Sequence, residues 1–109
     1  MSFSVTITND AQRDAKSLSK KYRSLKTDLS ALSASLKENP QQGEPLGKDC
    51  FKIRMAIRSK RKGKSGGARV ITCVKIVAEE VFVIAIYDKS ELNAITDQEI
   101  ENRLTNNGL

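Results

Sequence analysis

The sequence predicts an α+β fold in the order β-α-α-β-β-β-α, with an N-terminal strand and a helical hairpin packed on a small twisted antiparallel sheet. Three observations carry this expectation. An alternating segment at residues 3–8 is followed by a long helical stripe. A Pro- and Gly-bearing break separates that stripe from three extended, β-branched segments. A short capped helical segment then closes the chain. At 109 residues the chain makes one domain, 1–109, with one modest core.

Phe3, Val5 and Ile7 alternate with Ser4, Thr6 and Thr8, the period of a strand (3–8) with one buried face. Asn9 and Asp10 offer a helix cap. Ala11, Ala15, Leu18, Tyr22, Leu25, Leu29, Leu32 and Leu36 then recur at steps of four and three. One unbroken helix of that length would extend roughly 40 Å at 1.5 Å per residue. A break near Tyr22 to Ser24 is therefore expected, giving helices at about 10–21 and 24–38. The same spacing could mark a coiled-coil partner, but packing on the sheet is favoured because flanking charges are not patterned. Asn39 to Gly47, with Pro40 and Pro45, cannot continue a helix and form a connection.

From Cys50 to Arg58, Phe51, Ile53, Met55 and Ile57 fall on one face of an extended segment, and Lys52, Arg54 and Arg58 on the other. This predicts a half-buried strand (50–58) with a cationic outer face. Ser59 to Gly67 reads as a mobile basic loop. A second strand follows at about 68–77, and Glu79 and Glu80 make a tight turn. Residues 81–87 are nearly all apolar, which predicts a strand buried on both faces. Thr96 or Asp97 caps a last helix (97–104), and Thr105 to Leu109 is expected to fray.

Charge is distributed unevenly. Residues 50–78 hold nine Lys or Arg and no acid, whereas residues 79–109 hold two basic and seven acidic side chains. The net charge of +6 thus reflects a local patch, whose natural ligand is a phosphate backbone. With no histidine, a His-bearing zinc site or a His-dependent triad is excluded. Cys50 and Cys73 fall within strand patterns and read as small buried hydrophobes rather than a disulfide. No metal or cofactor is expected. The N-terminus lacks the charged and apolar regions of a leader, and no apolar run approaches the roughly 20 residues of a membrane span. A cytoplasmic protein is expected. Gly63, Lys64 and Ser65 superficially suggest a phosphate loop, but that motif requires glycine where Arg58 stands.

The segments LGKDCFKIRMAI, GKSGGARVIT and VFVIAIYDKSE, together with the element order, resemble the RelE/ParE superfamily of toxins from type II toxin–antitoxin systems, in its RelE-like (HigB/RelE) group. The resemblance covers most of the chain and is most specific at GKSGGARVI. It implies a ribosome-dependent mRNA endonuclease, a cognate antitoxin, and action on mRNA near the 16S rRNA of the ribosomal A site. It also implies a monomer when free, or a hetero-oligomer with the antitoxin. Arg69 matches the family's phosphate-contacting arginine, Lys52 and Arg54 match basic positions on the preceding strand, and Lys89 matches a basic or histidine position. The chain departs from members with a catalytic histidine or tyrosine in the last segment, having Ile95 near that place. A ParE-like inhibitor of DNA gyrase, or a catalytically lapsed relative that binds only RNA or antitoxin, would share the fold.

Metal-free RNA cleavage requires a base for the 2′-hydroxyl, an acid for the 5′-oxygen and positive charge on the transition state. Arg69 suits the last role because a guanidinium keeps its charge and presents a planar fork. Lys52 beside Arg54 is the candidate base, and Lys89 or Tyr87 the candidate acid. Arg58, Lys60, Arg61, Lys62 and Lys64 are the candidate RNA-binding residues. Glu91 reads as a surface carboxylate or a partner for Lys89.

Overall fold

Thr8 ends the first strand and begins the first helix in the computed structural model, which describes residues 2–109. Its backbone is extended, and its hydroxyl accepts from Ala11 N at 3.3 Å and donates to Val83 O at 2.9 Å. Thr8 is therefore the cap, rather than Asn9 or Asp10, which already lie within the helix. The elements are β1 (Ser4–Ile7), α1 (Asn9–Lys21), α2 (Leu25–Glu38), β2 (Glu44–Gly47), β3 (Cys50–Met55), a 3₁₀ turn (Arg58–Lys60), β4 (Ala68–Lys75), β5 (Glu80–Asp88) and α3 (Asp97–Asn106). The helical stripe breaks where expected, with Tyr22 extended between α1 and α2.

The order β-α-α-β-β-β-α stands, with one addition and one change of direction. The sheet runs β1-β5-β4-β3-β2 and is mixed, because β1 pairs parallel with β5 while every other pairing is antiparallel. Alternation specifies which face of a strand is buried and says nothing of its direction. The added strand, β2, lies in the segment read as a connection. It is exposed throughout and sits at the sheet edge, where Pro45 is tolerated. Strands β3 and β4 are shorter than expected. β3 stops at Met55, and β4 stops at Lys75 before a turn that leaves Val77 fully exposed. Glu79 closes that turn with a φ of 55°.

Two apolar layers cover the two faces of the sheet. Leu18, Leu25, Leu29 and Leu36 of the helical hairpin pack with Ile53, Met55, Val70, Val74, Val81 and Val83. Ile100 and Leu104 of α3 pack with Cys50, Ile71, Cys73, Ile84 and Ala85 on the opposite face. β5 serves both layers through a bulge: Val83 pairs with Thr72 and Ala85 with Ile71, so Ile84 is the extra residue.

β1 reaches only to Val83, so the rest of β5 has an open edge. Side chains from both helical layers close it. Asp14 of α1 accepts from Ile86 N at 3.0 Å, and Arg103 of α3 donates to Ile84 O at 3.0 Å. The two also pair with each other at 2.6 Å, while Glu99 accepts from Arg103 at 2.9 Å. Burial opposes the Arg103 charge, but the bonds to Asp14 and Glu99 outweigh it and raise its pKa. These bonds fix α3 across the sheet, and they hold the C-terminus too. Thr105 and Asn106 are helical, Asn107 donates to Asp10 at 3.1 Å, and Leu109 packs on the α3 layer. The tail is thus docked rather than frayed. Cys50 and Cys73 are free, buried, and directly opposite each other on β3 and β4. Among the described residues no helix is long and apolar enough to cross a membrane.

Candidate active site and nucleic-acid interface

The strand register assembles the site. Arg54 of β3 stands opposite Arg69 of β4, which stands opposite Tyr87 of β5. Directly paired residues share a face, so the three form one row across the sheet. Lys52, two residues before Arg54, shares that face. So do Cys50 and Cys73, which α3 covers. The row therefore lies on the α3 side of the sheet, opposite the helical hairpin.

Arg69 departs from the expectation of an open cation. The residue is only 5% exposed, and its guanidinium donates to the carbonyls of Lys64 (3.1 Å), Ser65 (3.2 Å) and Ala68 (3.3 Å). The cause is the turn at 61–67, whose carbonyls point inward and need a donor. Those acceptors are neutral, and Arg69 makes no ion pair among the described residues, so its charge is not cancelled within the chain. With three bonds made and about five N–H donors on a guanidinium, donors remain for a ligand. Gly67 makes the approach of this turn possible: a Cβ there would lie 2.2 Å from the Met55 carbonyl oxygen.

Tyr87 is 8% exposed, and its hydroxyl is buried without any hydrogen-bond partner. Such orphans are rare and point to a bound group, ordered water or a catalytic role. Lys89, half-buried, donates to the backbone and side chain of Asn93 rather than to Glu91, and Glu91 instead pairs with Lys21. Neither contact was legible in the sequence, because each depends on loop residues that follow no periodic pattern.

Lys52 faces Glu44 at 3.5 Å, since β2 places Glu44 opposite it. Its surroundings are thus not wholly cationic, contrary to the sequence reading. Glu44 is the site residue that reading missed, since nothing in a Pro- and Gly-bearing connection announced a strand. Lys52, Arg54, Lys64 and Glu44 line one open depression of about 590 Å³.

The basic loop is neither uniformly mobile nor uniformly available. Lys60 is buried against Asp88, with Nζ 2.8 Å from Oδ1 and side-chain exposures of 7% and 1%. It also lies 5.3 Å from the centre of the Tyr22 ring, while the Tyr22 hydroxyl donates to Asp88 at 2.5 Å. Burial opposes ionisation of Asp88, but hydrogen bonds from Lys60, Tyr22 and Ser90 outweigh it and hold the carboxyl well below the usual carboxylate range. Lys60 is therefore a structural cation, removed from the RNA-binding set. Arg61, Lys62 and Lys64 are exposed. Arg58 is exposed as well, its backbone N–H bonded to Asp28 at 3.1 Å.

Comparison with solved structures decides the fold. An arginine-to-alanine double mutant of the E. coli toxin RelE in the free state superposes with a TM-score of 0.66 over 100% of both chains, at 20% identity. The chain has the RelE fold. The RelBE2 toxin–antitoxin complex of Mycobacterium tuberculosis matches with a TM-score of 0.62 at 19% identity, covering 81% of this chain and 99% of that one. A crystal structure of the isolated E. coli RelE toxin gives 0.60 at 19% identity, over 95% and 97%. No protein-family model matches the sequence, and no curated protein matches it. At this level of identity the RelE likeness is one of architecture, so activity has to be argued from the chain's own residues.

Proposed function

We propose that the protein is the toxin of a toxin–antitoxin pair, a metal-independent endoribonuclease that cuts mRNA on the ribosome. The observation that carries this reading is the row Arg54, Arg69 and Tyr87, which sets two uncancelled guanidinium groups in register with an orphaned buried hydroxyl. In cleavage, a base takes the 2′-hydroxyl proton and the 2′-oxygen attacks the adjacent phosphorus. The bond to the 5′-oxygen breaks, and that oxygen receives a proton. The products are a 2′,3′-cyclic phosphate and a 5′-hydroxyl.

Arg54 and the free N–H groups of Arg69 would carry the developing phosphorane charge. Tyr87 would protonate the leaving oxygen, which explains why its hydroxyl lacks a partner in the chain. Lys52 is the base candidate on the open depression. Glu44 beside it at 3.5 Å is a second, since its carboxylate faces the same depression. Lys89, engaged by Asn93, is the weaker candidate for the acid. Lys62 and Lys64 would hold the RNA backbone.

Such an acid–base set is weak, and positioning of the substrate by the ribosome could supply about 7–11 kcal/mol of the barrier. Little cleavage of free RNA is therefore expected. A neighbour solved as a toxin–antitoxin complex supports a proteinaceous antitoxin as partner. A soluble, cytoplasmic site of action follows from a ribosomal substrate. A binding-only reading is favoured by one observation, the engagement of Arg69 with its own loop. Primer extension on mRNA from a translating extract separates the two: breaks at ribosome-occupied codons support the nuclease, and intact mRNA with inhibited translation supports binding alone.

A further inference from the structure

Cys50 and Cys73 are two nucleophilic thiols that the cleavage chemistry does not use. They lie opposite each other on β3 and β4 beneath α3, on the face of the sheet that carries Lys52 and Arg69. A cavity of about 160 Å³ opens beside them, between the β2–β3 hairpin and α3. Leu46, Gly47, Cys50 and Ile100 wall it, and Lys48 and Glu101, which pair with each other, stand at its rim. We infer that the two thiols form an oxidation site, in which a small hydroperoxide enters this cavity and converts the pair into a cross-strand disulfide.

The backbone places the sulfurs for this chemistry. Val74 N donates to Asp49 O at 2.9 Å, so residues 49 and 74 form a hydrogen-bonded pair and the cysteines beside them a non-hydrogen-bonded one. The Cα atoms of such a pair stand about 4.5 Å apart, within the range of about 4.4–6.8 Å that a disulfide spans. On the other side of β3, Cys50 pairs with Gly47, whose missing side chain leaves room next to the thiol. Lys48 and Asp49 are both left-handed, with φ of 54° and 63°, and this tight turn puts the Lys48 carbonyl 3.6 Å from the Cys50 Sγ that donates to it. Of the two cysteines only Cys50 lines the cavity, and Cys73 is fully buried behind it. A water molecule takes up about 30 Å³ in the liquid, so hydrogen peroxide fits this space.

That order of access assigns the roles. The neighbouring Cys50 thiol and the charge of Lys75 hold the Cys73 thiol below its usual range, so the pair gives up a proton more readily than a lone buried cysteine. The Cys50 sulfur attacks one oxygen of the peroxide. The S–O bond forms, the O–O bond breaks, and the departing hydroxide leaves as water with the thiol proton. Cys50 is then a sulfenic acid, oxidised by two electrons. The Cys73 sulfur attacks it, the S–S bond forms, the S–O bond breaks, and a second water leaves with the Cys73 proton. Two thiols and one peroxide thus become one disulfide and two waters. The new bond closes residues 50–73 into a ring around the basic loop and fixes β3, with Lys52 and Arg54, against β4, with Arg69. In a reducing compartment the pair stays as thiols until an oxidant arrives.

The test exposes the reduced full chain to hydrogen peroxide at neutral pH and reads urea unfolding and the masses of the cysteine-bearing peptides, digested without reduction. Wild type should lose two hydrogens within one chain and unfold at a higher urea concentration, and dithiothreitol should reverse both changes. Cys73→Ser, which cannot close the bond, should gain oxygen on Cys50. Cys50→Ser should gain it on Cys73 at least about tenfold more slowly, because that thiol does not reach the cavity. Leu46→Trp, on the exposed edge strand, fills the cavity and should slow disulfide formation at least about threefold. Two free thiols after treatment, a disulfide between two chains, equal oxidation rates in the two cysteine variants, or an unchanged rate in Leu46→Trp would overturn the inference. Each outcome is read whether or not the protein cuts RNA.

Discussion

Replacing Tyr87 with phenylalanine separates stability from function at the centre of the site. The hydroxyl is buried and unpartnered, so the folded state carries its desolvation without a compensating bond. An unsatisfied buried group of this kind costs about 1–3 kcal/mol, and removing the oxygen while keeping the ring should return part of that. The Tyr87→Phe variant should therefore be as stable as wild type or more stable by about 1 kcal/mol, raising Tm by about 4 °C for a domain of this size. Cleavage should fall by about 10²–10⁴, the usual contribution of a positioned acid. Thermal unfolding by circular dichroism, together with single-turnover cleavage of ribosome-bound mRNA, reads both quantities. A drop in Tm of several degrees would mean that the hydroxyl has a structural partner. Cleavage within about threefold of wild type would mean that it is not the acid. Either result refutes the reasoning.

The Lys60–Asp88 pair should act as a structural lock. Asp88→Asn leaves a buried ammonium uncompensated and should cost about 3–5 kcal/mol in urea unfolding. The pH dependence follows from the same carboxyl. Its folded pKa is depressed, so its contribution is present above the unfolded value of about 3.9 and is lost as pH falls further; acid titration of wild type but not of Asp88→Asn should show this loss. Gly67→Ala places a Cβ 2.2 Å from the Met55 carbonyl oxygen and should cost at least about 1–3 kcal/mol, read by chemical denaturation. Cys50 and Cys73 form a cross-strand pair next to the Val74 N to Asp49 O bond of 2.9 Å, which makes theirs a non-hydrogen-bonded pair with close side chains. The neighbouring Cys50 thiol holds the Cys73 thiol below its usual range. Mild diamide should therefore yield an intramolecular disulfide, seen as the loss of two hydrogens by mass spectrometry and absent from Cys50→Ser; two free thiols after oxidation would refute the geometry.

How much of this could be read in the sequence depended on how local the physics was. The helical stripe and its break at Tyr22, the cationic face of β3 and the glycine pair before Arg69 are encoded within a few residues, and each was legible. The parallel pairing of β1 with β5 was not, because its partner lies more than 70 residues away and alternation is blind to direction. The exposed edge strand β2 was hidden by its proline, and Glu44 with it. Arg69 was misjudged for a different reason. Residues 68–74 are all buried, so no alternation marks which face is open, and the inward carbonyls of the preceding turn are a tertiary demand. Lys60 shows the same limit, since its burial depends on Asp88, 28 residues later.

Mapping of mRNA ends in a translating extract tests the central claim most directly. With wild-type protein, cuts should fall inside codons held by the ribosome and carry a 2′,3′-cyclic phosphate on the upstream fragment. The double variant Lys52→Gln/Arg54→Gln, altered on the sheet face alone, should abolish them. Intact mRNA with wild-type protein, or cuts that survive that double substitution, would contradict the account.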